Sequence, residues 1–251
     1  VIELGIPWEL LPLFFIVALV YSSVGMGGAS GYLALFALAG VGRSEIAPVA
    51  LALNILVAST GFINYYRAKH FSLKLLLPFI LSSIPAAFIG GLIKVPTQSF
   101  SLILGGVLFL AAIRLLFINS QTNKRSIEPP PQIYYYGAVA GFMIGFVSGI
   151  TGIGGGVFLT PVLLFTGWAD MKQAAAVSSA FIVLNSISGL AAKTFAHTIH
   201  WDVILIFGVV TFIGGQIGSR LGAFEFNPTF LQKLLGMVLL FAALKMFWDV
   251  L

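Results

Sequence analysis

Two glycine clusters, Gly25-Met26-Gly27-Gly28 and Gly152-Ile153-Gly154-Gly155-Gly156, are the places in this sequence where binding chemistry could arise. Each directly precedes a short apolar run. A helix that starts there, away from water, presents backbone N–H groups and the positive end of its dipole, which suits an anion. Glycine has no Cβ, so the backbone can close around a ligand. The other reading is close helix packing, which small residues also permit in membranes. Polar side chains gather near both clusters: Ser22, Ser23, Ser30, Ser148, Thr151 and Thr160 beside the breaks, and Asn54, Ser59, Ser178, Ser179 and Asn185 in neighbouring segments. An amide in apolar surroundings must face protein or a cavity, so these residues either tie helices together or touch a ligand. The candidate substrate-binding set is Gly25, Gly27, Gly28, Ala29, Asn54, Thr151, Gly152, Gly154, Gly155, Gly156, Ser178, Ser179 and Asn185.

Other chemistry finds little support. No Asp, Glu, Lys or Arg sits at the middle of an apolar run. Glu45, Asp170 and Asp202 fall at helix starts, where an acid complements the dipole. His70, His197 and His200 fall at segment ends. Glu45, His70 and His200 are the side chains available for proton coupling. The absence of cysteine removes disulfides, thiolate metal sites and thiol catalysis. There is no HExxH, Walker A or nucleophile elbow, so no enzyme, metal or cofactor is expected.

The elements that must position these residues are membrane helices. Of 251 residues 59% are hydrophobic and 8% charged, with mean hydropathy +1.05, where soluble domains carry about 25% charged residues. Runs such as Leu75 to Ile93 are apolar on every side, which rules out the alternation a membrane β-barrel requires. Ten segments follow, at about 9–24, 29–42, 46–66, 72–94, 98–118, 134–150, 156–168, 173–196, 201–222 and 229–249. Segments 2 and 7 reach only about 20 Å, short of a hydrocarbon core of about 30 Å, so segments 1–2 and 6–7 either span or form re-entrant hairpins. The net charge of +5 reads as the positive-inside signal and not as a nucleic-acid surface. One side carries Arg67, Lys69, Lys74, Arg114, Lys124, Arg125, Lys172, Arg220 and Lys233, the other Arg43, Lys94, Lys193 and Lys245. That bias makes the first side cytoplasmic and puts both termini outside. Trp8, Trp168, Trp201 and Trp248 lie at segment ends, as an interfacial aromatic belt predicts.

The chain also repeats itself. Val20 to Gly28 matches Val147 to Gly155 at an offset of 127; Asn54 pairs with Asn185 and Gly105, Ala111, Ala112 and Arg114 pair with Gly236, Ala242, Ala243 and Lys245 at 131; His70-Phe71 pairs with His200-Trp201 at 130. The halves are 1–118 and 133–251, joined by a polar, proline-rich cytoplasmic linker at 119–132. Each half holds an odd number of spans on either reading of the hairpins, so the second copy enters the membrane from the opposite side. The expected fold is an all-α integral membrane protein of two inverted-topology repeats, a recurring plan of secondary transporters. Asn54 and Asn185 then lie symmetrically about the axis and are the leading side-chain candidates.

Gly149-Ile150-Thr151-Gly152-Ile153-Gly154-Gly155-Gly156 followed by Pro161 resembles the glycine-rich signature of the sulfite exporter TauE/SafE family of membrane transporters. Ala176-Val177-Ser178-Ser179 and His200-Trp201-Asp202 resemble its later short motifs. The first half departs from the pattern, with Ala29, Ala34 and Pro48-Val49 at the matching places. The resemblance implies transport of a small sulfur oxyanion or organosulfonate, such as sulfite or sulfoacetate, outward across a bacterial cytoplasmic (inner) membrane. Its partners would be that small anion and the lipid bilayer, with no nucleic acid; the oligomeric state stays open. A passive anion channel, uptake of another sulfur-containing anion, and an intramembrane enzyme or assembly subunit are the alternatives.

Overall fold

The structure is a computed structural model that describes residues 6–41, 43–93, 97–117, 132–195 and 199–248, with side chains described except at 43–45, 97–104 and 107. All regular structure among these residues is helical: α1 (Leu11–Ser23), α2 (Ala29–Leu38), α3 (Arg43–Arg67), α4 (Leu73–Leu92), α5 (Thr97–Phe117), α6 (Ile133–Thr151), α7 (Gly156–Phe165), α8 (Met171–Thr194), α9 (Trp201–Arg220) and α10 (Pro228–Trp248). A 3-10 turn at Trp8–Leu10 precedes α1, and a π-helical turn at Leu221–Glu225 extends α9. Among the described residues six helices, α3, α4, α6, α8, α9 and α10, are long and apolar enough to cross a membrane. The chain is therefore a multi-pass helical membrane protein. Apart from Gln132, the linker at 119–132 lies outside the described residues, as do Lys94 and His197.

Each of the ten segments read from the sequence corresponds to one helix, and both glycine clusters interrupt the chain where expected. The two short helices are shorter than the reading allowed. Each has ten residues, about 15 Å at 1.5 Å per residue. α2 ends at Leu38 and turns through Gly40 (φ +76°), and α7 ends at Phe165 and turns through Gly167 (φ +69°). The apolar residues past those points continue the hydropathy signal without continuing the helix.

Packing is closest where glycine removes the Cβ. On α6, Gly137, Gly141, Gly145 and Gly149 form one stripe of four-residue spacing, which in a helix is one face. A Cβ at these positions would run into Pro78, Phe79, Ser83 and Ala87 of α4, at the latter three into the backbone. On α9, Gly214 and Gly218, continued by Gly222 in the π turn, meet the backbone of Phe15, Leu19 and Ser23 on α1 in the same way. Backbones brought this close gain dispersion contacts that apolar lipid offers no competing drive for. Ser82 Oγ donates to Ala138 O at 2.7 Å, Ser188 Oγ to Ile84 O at 2.7 Å and Asn64 Nδ2 to Ser219 Oγ at 2.8 Å, fixing helix pairs polar group by polar group.

The packing follows a rule. α4 lies on α6 and α8, α9 lies on α1 and α3, α2 packs on α3, α7 on α8, α3 on α8 and α5 on α10. Exchanging every helix for the one five places along leaves this set of pairs unchanged. The outer surface is apolar, with Leu81, Leu110 and Leu205 each about 70% exposed (72%, 69% and 69%), as lipid contact requires. Trp8, Trp201 and Trp248 are exposed at helix ends, whereas Trp168 is half-buried and its ring packs 6.2 Å from that of Phe79. Trp168 thus serves the core more than a belt.

The glycine stripe yields a direct expectation. Gly141→Ala and Gly149→Ala force α4 and α6 apart and cost about 1–3 kcal/mol each, as overpacking does. Gly106→Ala, where an added Cβ meets open space, leaves stability near wild type. Thermal unfolding of the detergent-solubilised protein, followed by size-exclusion chromatography, separates the two outcomes.

Candidate functional site

The two glycine breaks are built alike. α1 ends at Ser23 and α6 at Thr151, and the chain then passes through left-handed glycines before α2 and α7 begin. Gly25 (φ +76°) matches Gly152 (φ +74°), and Gly28 (φ +91°) matches Gly155 (φ +80°), both at the offset of 127. Gly28 and Gly155 are the N-caps of α2 and α7, and neither helix receives a side-chain cap from its own N-cap residue. An L-residue at any of these positions would be strained.

Asn54 joins the breaks. It is buried at 1% exposure near the middle of α3. Its Oδ1 accepts from the Ala29 N–H, the first of α2, at 3.1 Å. Its Nδ2 donates to Ser186 Oγ on α8 at 2.8 Å and to Ile153 O in the second break at 3.5 Å. One amide therefore holds the start of α2, the loop before α7 and the α3–α8 crossing. Gly27 and Gly154 must be glycine for the same reason: a Cβ on either would strike the Asn54 side chain.

The other predicted residues divide. Thr160 Oγ1 donates to Gly156 O at 3.0 Å and lies 2.8 Å from Ser178 Oγ on α8, whose hydroxyl is free to donate to it, so this pair fixes the first turn of α7. Thr151 donates to Val147 O at 2.8 Å at the end of α6. Ser179 donates to Ala176 O at 2.8 Å within α8, and its Cβ lies 3.5 Å from where a Cβ on Gly61 of α3 would stand, at the helix crossing and away from α7. Asn185 does not mirror Asn54. Its Nδ2 donates to Phe181 O of its own helix at 2.9 Å, and its buried Oδ1 has no protein partner.

Of the possible coupling residues, Glu45 lies in the first turn of α3 with its side chain outside the described set. His70 follows α3, and its pKa is lowered by burial, with the Lys172 ammonium adding to the effect. It is therefore neutral near pH 7. Lys172 donates to Ala223 O in the π turn at 3.1 Å, and Tyr65 donates to Ser23 O at 2.6 Å beside the first break. His200 is the N-cap of α9 without capping it. Asp170 forms a capping box on α8: its Oδ1 accepts from Gln173 N at 2.8 Å, and its N–H donates to Gln173 Oε1 at 3.3 Å. The structural reading of that acid holds.

Three residues escaped sequence reasoning. Tyr32 lies one turn into α2, with its hydroxyl buried, without a protein partner, and 2.8 Å from the position a Gly28 Cβ would take. Its ring stacks on Phe14 with centroids 5.2 Å apart. Nearby, Ser30 Oγ donates to Tyr21 Oη at 3.1 Å. Lys193, counted above with the loop charges, is buried in the last turn of α8. Its Cε lies 3.8 Å from the position of a Gly152 Cβ, so a cation adjoins the second break. Ser186, the third, looked like one more helix serine. A tyrosine one turn past a glycine cluster was a usable signal; the positions of Ser186 and Lys193 depend on how α8 packs. Among the described residues no His, Asp or Glu cluster could hold a metal.

Comparison with known proteins fits this architecture. The family described as Sulfite exporter TauE/SafE matches residues 10–246. A probable membrane transporter protein of Sinorhizobium fredii, y4hK, is 33% identical over 236 residues, covering 94% of this chain and 96% of its own. Probable membrane transporter proteins YunE and YjnA of Bacillus subtilis are each 27% identical, covering 84% and 88% of this chain and 87% and 92% of theirs. No solved structure matches. On the match over nearly its whole length, the chain belongs to the sulfite exporter TauE/SafE family of membrane transporters.

Proposed function

We propose that this protein is a secondary transporter or facilitator that binds a small sulfur-containing anion between its two glycine breaks and moves it outward across a bacterial cytoplasmic membrane. The substrate on this reading is sulfite, which the family description names, or an organosulfonate such as sulfoacetate. The observation that carries the reading is the convergence of both breaks on Asn54. One amide that holds the start of α2 and the loop before α7 brings two positive dipole ends to one region, where an anion gains from both. The orphaned Tyr32 hydroxyl supplies a further donor at the first break, and the Lys193 ammonium a charge near the second. No buried carboxylate opposes the ligand in the described part of this region.

The halves, 1–118 and 133–251, are inverted copies on this reading, with the linker cytoplasmic and both termini outside. The exchange rule among packed helix pairs supports it, since a pseudo-twofold axis carries each helix onto the one five places along. Such an axis places the binding region at the repeat interface, and rocking of one half against the other gives alternating access. Glu45, His70 and His200 are the groups that would couple flux to protons.

In proteoliposomes, Gly155→Leu abolishes sulfite flux while the protein still inserts into the membrane; unchanged flux sinks the proposal. Lys193→Met raises the apparent KM for sulfite about tenfold, the scale of a lost charge-assisted hydrogen bond. The pH dependence has a defined sign. Because the His70 pKa lies below 6.5, its proton enters the cycle only in acid. Flux in His70→Gln then matches wild type at and above neutrality and diverges below pH 6.5, a window that a pH series of initial rates resolves.

A further inference from the structure

Two lateral grooves open on the outer surface at repeat-equivalent places. The first, a cavity of about 510 Å³, lies between α5, α6 and α7, with Leu110, Arg114, Val147, Pro161 and Phe165 in its wall. The second, of about 380 Å³, lies between α2 and α10, with Ala34, Leu38, Phe241, Lys245 and Trp248 in its wall. Ala34 and Leu38 correspond to Pro161 and Phe165 at the offset of 127, and Phe241 and Lys245 to Leu110 and Arg114 at 131. The cause is the length of α2 and α7. Ten-residue helices leave the outer wall unfilled beside the 21-residue helices α5 and α10.

The chemistry of the grooves is lopsided. Among the described residues each is walled by hydrocarbon and carries one charged residue, Arg114 or Lys245. Each cation stands three residues before the end of its helix (117 − 114 and 248 − 245), about 5 Å along the axis and so at headgroup depth. The Arg114 guanidinium lies 4.3 Å from the Phe165 ring centroid, which fixes it at the rim of the groove. Trp248 is exposed beside Lys245, as an interfacial residue is. Water needs several polar partners to occupy a cavity and finds few here. A small hydrated anion would gain one charge and lose its shell against hydrocarbon.

We infer that each groove binds one anionic phospholipid, an acyl chain filling the apolar slot and the headgroup phosphate meeting Arg114 or Lys245. A single cation above an apolar slot complements a phosphate joined to a chain. The assignment stands whether or not the protein carries an anion. The placing of one site in each leaflet rests on the inverted reading.

Native mass spectrometry of the intact protein, incubated with phosphatidylglycerol or with zwitterionic phosphatidylethanolamine, tests the proposal. Wild type retains two phosphatidylglycerol molecules in preference to phosphatidylethanolamine. Arg114→Gln and Lys245→Gln each retain one, and the double variant none. Ala37→Phe, at an exposed position of α2 in the second groove, keeps the lysine, fills the slot and also drops to one. Equal retention of both lipids, an unchanged count in the double variant or in Ala37→Phe, or a lipid-free dimer with the grooves closed between copies would overturn it.

Discussion

The rest of the structure depends on one constraint: backbone polar groups withdrawn from water must find partners inside the protein. Among the described residues six helices, α3, α4, α5, α8, α9 and α10, meet it by running unbroken. α1–α2 and α6–α7 instead stop and restart inside the bundle, and the orphaned groups at each stop must be answered locally. The first break is answered by Asn54 on the Ala29 N–H and by Tyr65 on Ser23 O. At the second, Asn54 reaches Ile153 O and the Thr160–Ser178 pair steadies the opening turn. Asn54 serves both breaks, so neither can shift without disturbing the other. A ligand that displaces the Asn54 amide from one break would alter the other, which is the kind of bistable contact a transporter needs.

Close approach is the second requirement, and glycine meets it in two distinct ways. At Gly25, Gly28, Gly152 and Gly155 the backbone is left-handed, and the residue is needed for conformation. Along α6 and α9 the backbone is ordinary helix, and the residue is needed for space. The glycine-rich stretch of the second half uses the residue for both purposes. Gly149 packs on Ala87 and Gly152, three residues later, turns the chain.

Much of this was legible from the residues. The ten segments follow from hydropathy strong enough to survive errors of several residues at each end, and the breaks from glycine runs no membrane helix would otherwise carry. What was lost is three-dimensional. Ser186 is one helix serine among many until α3 crosses α8 and sets it 2.8 Å from Asn54. Lys193 reads as a loop charge because it closes an apolar run, yet α8 continues through it and buries it. Asn185 misled in the other direction. The repeat assigns it the role of Asn54, but its amide bonds back to Phe181. Matching the sequence at a fixed offset pairs the two positions, but the neighbours that give each its role differ.

That divergence shapes the site. The conformational frame is shared, since both breaks use left-handed glycines at the same offset. The chemistry is divided: a tyrosine hydroxyl and the bridging amide belong to the first half, a lysine and a serine–threonine pair to the second. A site with strict twofold symmetry would offer an anion two identical donor sets and could not distinguish its two ends. On the proposed function, the substrate is pyramidal sulfite or sulfoacetate with its two unlike acidic ends, and an uneven donor set can fix the orientation of either. The weaker glycine motif of the first half is then no defect. Ala29 needs only its backbone N–H to meet Asn54, and any residue supplies one. Gly156 must stay bare, because a Cβ there would collide with Ile182.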